Sequence, residues 1–296
     1  MRLAIVGGRG MLGRDLAEAA RRRGHEVEIL SRPTFDITCP DRLAARLPEA
    51  DVVVNCAAFT RVDDAERERE ACRRVNAEGA GFLAHACAER GIYLIQISTD
   101  YVFDGEKGAP YREDDPPRPL NWYGETKLEG EQRVLESGAR TTIVRTQSLF
   151  GVGGRNFVQA ILRQIENGRK ELSVVHDQVS CPTYTRHLAE ALLDLAALQP
   201  PVRILHAAAS GWCSWWEFAR EITARTRPEV RVLQRRAAEL ALPARRPAFS
   251  VLDTSALQRL IGRGLPHWRD GLDAYLAEEP LAAAVRASAS DQARSL

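Results

Sequence analysis

The chain opens on a short apolar run at residues 3–6 that stops at Gly7 and gives way to a helical pattern over 12–23. Further apolar runs follow at 27–30, 51–56 and 92–98, with a helix expected inside 76–91. The spacing then predicts a helix over 123–137 and a fifth strand over 141–145. Short apolar runs in strict alternation with amphipathic helices belong to a parallel sheet covered on both faces, an α/β doubly wound arrangement. After Gly151 the pattern loosens, with helices expected over 156–166, 186–198 and 215–226 and strands over 172–175 and 204–206. This predicts a nucleotide-binding unit over 1–150 and a smaller, mixed, substrate-binding region over 151–280. The helix and strand at 186–206 are able to return to the first unit, so the boundary near 150 is approximate. Residues 281–296 read as a flexible tail.

Composition narrows the class. The 41 basic and 40 acidic residues of the 296 give a formal charge of +1, so neither a nucleic-acid nor a membrane partner is expected. No apolar run is long enough to span a bilayer, and the first is too short for a signal peptide. Six cysteines are scattered with no close pair at metal-ligand spacing. A reduced, cytoplasmic protein without a metal is expected. The alternating charges of residues 63–70 read as a solvated helix face. Asp100 and Asp104 read as turn-forming, His176 beside Asp177 as a loop hydrogen-bonding pair, and Trp212, Trp215 and Trp216 as packing for a C-terminal helix, with one of them bordering a substrate as the alternative.

Gly7, Gly10 and Gly13 follow the first strand and open the first helix, in a loop that also carries Arg9, Met11 and Leu12. Glycines in this pattern let the chain turn sharply and let backbone approach a pyrophosphate, while the helix N-terminus offers amides and positive dipole to it. The first unit is therefore expected to be a Rossmann dinucleotide-binding domain. At the end of the second strand, where a carboxylate would grip an adenosine ribose, the chain reads Ile29-Leu30-Ser31-Arg32. Arg9 and Arg32 together suit a 2′-phosphate, which predicts NADPH, with NADH possible.

Tyr123 and Lys127 stand one helical turn apart on one face. Only Lys107, Lys127 and Lys170 among the 41 basic residues are lysine. An ammonium so placed is expected to lower the phenol's pKa and make it a usable proton donor.

These blocks, with Asn55-Cys56-Ala57-Ala58-Phe59-Thr60 and Ser98-Thr99-Asp100-Tyr101-Val102-Phe103, resemble an extended short-chain dehydrogenase/reductase. More narrowly, Pro119-Leu120-Asn121, Asn156-Phe157-Val158, Asp177-Gln178, Pro182-Thr183-Tyr184-Thr185 and Arg246-Pro247 through Leu252-Asp253-Thr254 resemble the dTDP-4-dehydrorhamnose reductase family. The resemblance implies that Tyr123 protonates a carbonyl oxygen, that Lys127 binds the nicotinamide ribose, and that Thr99 holds the carbonyl in line. It implies cofactor contacts at Ala57, Ala58, Asp36 and Ile37, and a sugar-nucleotide site with Thr99, Tyr101, Asn156 and Arg246. It departs at Gln147-Ser148, where the family usually has Ser-Trp with the ring against the sugar. Ser148 removes that stacking surface and widens the pocket. A homodimer is expected. Other readings within reach are a different sugar-nucleotide reductase or epimerase, and a non-catalytic partner similar to the regulatory subunit of methionine adenosyltransferase.

Overall fold

The computed structural model describes residues 1–280 and residue 282; the tail expected over 281–296 lies outside the described residues apart from that one position. Along the chain run β1 (Arg2–Val6), α1 (Met11–Arg22), β2 (Glu26–Leu30), α2 (Pro40–Arg46), β3 (Val52–Asn55), α3 (Val62–Ala65) and α4 (Arg69–Arg73). A π-helical turn, Arg74–Gly79, leads into α5 (Ala80–Glu89), β4 (Tyr93–Thr99), α6 (Trp122–Glu136) and β5 (Thr141–Thr146). There follow β6 (Leu149–Phe150), α7 (Phe157–Glu166), β7 (Glu171–Val175), β8 (Val179–Ser180), β9 (Thr183–Tyr184), α8 (Thr185–Leu198) and β10 (Ile204–His206). The last elements are β11 (Cys213–Ser214), α9 (Trp215–Thr226), β12 (Arg231–Arg235), α10 (Ser255–Ile261) and α11 (Trp268–Glu278).

Six strands form one parallel sheet in the order β10-β5-β4-β3-β1-β2. Successive strand residues point to opposite faces, and both faces are apolar. Leu3, Ile5, Val52, Val54 and Ile95 pack with Leu12 and Leu16 of α1 and Leu188 and Leu192 of α8. Ala4, Val6, Val53, Leu94 and Ile143 pack with Leu43 of α2, Leu83 of α5 and Val134 of α6. The 186–206 segment returns to this sheet, with β10 beside β5. A second core gathers Phe150, Val158, Leu162, Phe218, Ile222, Trp268, Leu272 and Tyr275 around α7, α9 and α11.

Several elements left no mark in the hydrophobic pattern. Helix α2 is seven residues long, starts on Pro40 and buries only Leu43. Strand β12 is mostly exposed and pairs only with β7. The charged run at 63–70 is not one solvated helix face. It is broken into α3 and α4, and two of its acids are engaged by distant chain. The carboxylate of Asp63 accepts from Arg246 at 3.1 and 2.7 Å, and Glu66 accepts the Trp122 N–H at 2.8 Å.

The Arg246 contact belongs to a strap. Residues 244–252 run back over the sheet unit, where Phe249 N–H donates to Gly105 O, Tyr111 N–H to Val251 O, and Leu252 N–H to Gln147 Oε1. The strap and the loop after β4 thus border the carboxyl end of the sheet together, where ligands bind in open α/β folds.

Candidate active site

A cavity of about 710 Å3 runs along that end of the sheet. Its floor begins at the turn after β1. Gly7 has φ +73°, a left-handed conformation that favours glycine, and a Cβ there would lie 2.7 Å from Ala57 N. Gly13 packs its helix against the same turn, since a Cβ would meet Gly8 Cα at 2.5 Å. Helix α1 starts at Gly10 with no side-chain cap and no acid in its first turn, which leaves its N–H groups and positive end turned to this floor.

The cavity wall collects most of the expected cofactor residues. Gly7, Arg9, Gly10, Met11, Leu12, Arg32, Asp36, Ile37, Ala57 and Ala58 all line it. Arg9 and Arg32 are exposed and make no hydrogen bond or ion pair among the described residues, so their guanidinium groups are available to an anion. Burial pushes Asp36 up, but Thr38 outweighs it with a backbone and a side-chain hydrogen bond, helped by Arg32 and Arg74, and holds the carboxyl below its usual value. These residues fit a phosphorylated dinucleotide: a glycine cradle at a helix N-terminus, small side chains at 57 and 58, and two free arginines at the same end.

At the other end Thr99, Asp100, Tyr101, Tyr123 and Lys127 line the same cavity. Thr99 closes β4, and its hydroxyl accepts the Tyr101 N–H at 3.1 Å while donating to Asp100 Oδ1 at 3.1 Å. Helix α6 starts on Asn121, whose side chain accepts the Gly124 N–H at 2.8 Å, so the cap fixes the turn that presents Tyr123. Lys127 is 4% exposed and its ammonium donates to Ile97 O at 2.7 Å. Burial lowers its pKa to about 8, against the pull of Glu131.

The phenol behaves differently from expectation. Burial raises the Tyr123 pKa well above its ordinary value, a Thr99 hydrogen bond opposes this, and Asp100 adds to it. The Lys127 ammonium is turned to the strand carbonyl, so the phenol stays protonated as a donor must. Asp100 is not the solvated turn residue its neighbours suggest: it is 2% exposed, and burial pushes it up to about 7.

Two expected substrate residues are placed elsewhere. Asn156 caps α7 by accepting the Gln159 N–H at 2.9 Å, and its amide donates to Gly151 O at 2.9 Å. Arg246 spends its guanidinium on Asp63 and on Ala244 O. Neither lines the cavity. Gln147, Ser148 and Trp215 do line it. Ser148 has φ +47° and its hydroxyl lies 2.6 Å from that of Ser180. Trp215, first residue of α9, brings its indole to the cavity, the alternative left open for one of the three tryptophans beside their packing role. No group of metal-ligating side chains occurs among the described residues. No helix among them is long and apolar enough to cross a membrane.

A family model described as the RmlD substrate binding domain matches residues 1–280. A dTDP-4-dehydrorhamnose reductase of Streptomyces griseus is 43% identical over 287 residues, covering 92% of this chain and 91% of its own. The chain belongs to the dTDP-4-dehydrorhamnose reductase family. The spore coat polysaccharide biosynthesis protein SpsK of Bacillus subtilis is 38% identical over 281 residues, covering 94% and 97% of the two chains. A crystal structure of dTDP-4-dehydrorhamnose reductase from Bacillus anthracis, in complex with NADP, superposes with a TM-score of 0.89 at 35% identity. It covers 94% of this chain and 99% of that one. Members of this family are NAD(P)H-dependent oxidoreductases, and the cavity described above holds the glycine loop and the Thr-Tyr-Lys set in one continuous groove.

Proposed function

We propose that the protein reduces the 4-keto group of a nucleotide-linked 6-deoxy sugar with NADPH, with dTDP-4-dehydro-L-rhamnose to dTDP-L-rhamnose as the specific reaction. The observation that carries this reading is the joining of two ends of one cavity. The glycine cradle with Arg9 and Arg32 lies at one end, and Thr99, Tyr123 and Lys127 lie at the other. NADP in the Bacillus anthracis relative supports the cofactor assignment.

Ketone reduction needs a hydride, a proton and a donor for the developing alkoxide. The bound cofactor supplies the hydride. Tyr123 donates its phenolic proton to the carbonyl oxygen as the carbon is reduced, and the resulting phenolate regains a proton from solvent. Thr99 turns its hydroxyl proton from Asp100 Oδ1 to the same oxygen and fixes the carbonyl against the phenol. The Lys127 ammonium orients the cofactor ribose and stabilises the phenolate. The sugar end also holds Asp100 Oδ2, Thr146 Oγ1 and Gln147 Nε2, three buried polar atoms without a partner among the described residues. Such atoms suit the hydroxyls of a sugar, since leaving them unpaired is costly.

Incubation with dTDP-4-dehydro-L-rhamnose and NADPH should consume the reduced-nicotinamide absorbance and yield the deoxysugar nucleotide. Tyr123→Phe should lower kcat by about 10²-fold or more with cofactor affinity retained. Tighter binding of NADH than of NADPH would remove the 2′-phosphate assignment. No turnover across a panel of keto-sugar nucleotides would remove the reaction itself.

A further inference from the structure

Glu131 lies one helical turn beyond Lys127 on α6, and the two side chains share a face. Its carboxylate is almost sealed from water. Arg145 grips it from β5 with Nε at 2.9 Å and Nη2 at 2.7 Å, a two-pronged pair with both side chains 2% exposed. Ser98 adds a hydroxyl hydrogen bond at 2.5 Å from β4. Ser98 and Arg145 are direct neighbours in the β4–β5 register, so the sheet presents both donors to one acid. The residue before Ser98 is Ile97, whose carbonyl receives the Lys127 ammonium. One helix and two strands therefore converge on an ion pair one helical turn from the lysine.

A buried ion pair of this kind is weak evidence for stability, because desolvation offsets most of the attraction. Its position suggests another use. We propose that Glu131, held one helical turn from Lys127 by Arg145 and Ser98, is a positioning residue whose negative charge supports the Lys127 ammonium through space. This rests on the reductase reading above, in which the ammonium holds the cofactor ribose and the phenolate.

The groups facing Lys127 come from several elements. Tyr123 and Glu131 share its helix, Cys72 faces it from α4, Cys56 from the end of β3, and Arg145 lies behind Glu131 on β5. Burial pushes Cys56 up to about 12 and raises Cys72, so both thiols stay neutral. Burial likewise keeps the Tyr123 phenol neutral. Glu131 is thus the carboxylate acting on the ammonium from within this set. Burial alone would neutralise a lysine at this depth, and a neighbouring anion opposes that.

The scarcity of lysine makes the test direct. Protein labelled at lysine Cε gives three resonances, for Lys107, Lys127 and Lys170, and the Lys107→Arg/Lys170→Arg form leaves Lys127 alone. In Glu131→Gln the Lys127 titration midpoint should fall by about one unit or more. The alkaline limb of the kcat/KM profile should move with it. Activity relative to wild type should then be about fivefold lower near pH 8 and little changed near pH 6, as the charged fraction dictates. Glu131→Asp, which keeps the charge a methylene further back, should show a smaller shift and serves if the glutamine variant does not fold. An unmoved Lys127 midpoint in either folded variant overturns the proposal, and so does a loss of activity equal at all pH values. The resonance arm needs no substrate, so it stands even if the assumed sugar nucleotide proves wrong.

Discussion

Asp100 follows directly on the threonine at the end of β4, with its carboxyl shut away from solvent and one oxygen unpartnered. Burial pushes it up to about 7 from an ordinary 3.8, with Ser250 and Thr99 hydrogen bonds opposing the rise. The unfolded chain ionises this group near its ordinary value, so between those two pH values the folded state alone keeps the proton. The stability it contributes is complete below the unfolded pKa and is lost as pH rises through the folded one. Asp100→Asn is neutral at every pH and removes that slope. In urea unfolding, the stability of the variant minus that of wild type should grow from pH ~4 to pH ~8 by on the order of 4 kcal/mol at most. A difference that stays flat with pH would show that the folded carboxyl ionises freely. Sequence reasoning took this aspartate for a turn former because an Asp after a strand looks the same in water as under a strap. What buries it includes Ser250, far along the chain, and no local pattern reports that. Tyr123 and Lys127 were legible for the opposite reason, since helix geometry alone puts them on one face.

At the scale of elements, the strands and helices that carry long apolar stripes were readable from period alone, including β10, whose return to the sheet the pattern left open. Those with one buried side chain, such as α2, or an exposed edge, such as β12, were not, because the pattern has nothing to repeat. Helix α6 shows a second kind of illegibility. Gly124 and Gly130 look like weak points in it, yet a Cβ at either would lie about 2.2 or 2.1 Å from the carbonyls of Tyr101 and Asn76. They let the helix approach the segment after β4 and the π-helical turn, a close contact that only the folded molecule reveals. Helix α7 illustrates a residue whose role shifts from ligand to element. The resemblance implied sugar contact for Asn156, whereas its side chain caps α7 and ties it to Gly151 O. Asn156→Ala should cost about 2 kcal/mol, the cap and one half-buried hydrogen bond, with KM for the sugar nucleotide changed less than about twofold. Asn156→Asp keeps the cap and should recover about half of the loss in denaturant titration. A large rise in KM with stability intact would return the residue to the substrate site.

At the scale of the whole molecule, the strap at 244–252 ties the sheet unit, at Gly105, Tyr111 and Gln147, to β8 at Val179, and its firmest tie is Asp63 with Arg246. Burial pushes the Asp63 carboxyl up, but Arg246 and the Ala244 N–H outweigh it and hold it low. Arg246 is also within hydrogen-bonding reach of Tyr101. Tyr101 in turn packs edge-on against Tyr123 with ring centroids 5.7 Å apart. The tie therefore reaches the Tyr123 end of the cavity through one aromatic contact, while the glycine cradle and its arginines lie outside its reach. Asp63→Asn and Arg246→Met, made singly and together, should give a coupling of about 1–2 kcal/mol in a double-mutant cycle of unfolding, less than for a sealed pair because Asp63 stays partly hydrated. Each single variant should raise KM for the sugar nucleotide by up to about tenfold while leaving the NADPH dissociation constant within about twofold. The asymmetry is the informative part. A latch acting only through Tyr101 loosens one end of the cavity, whereas a tie that held the two cores in register would weaken both ligands together. Equal losses for cofactor and sugar would mean that the strap sets the shape of the entire groove.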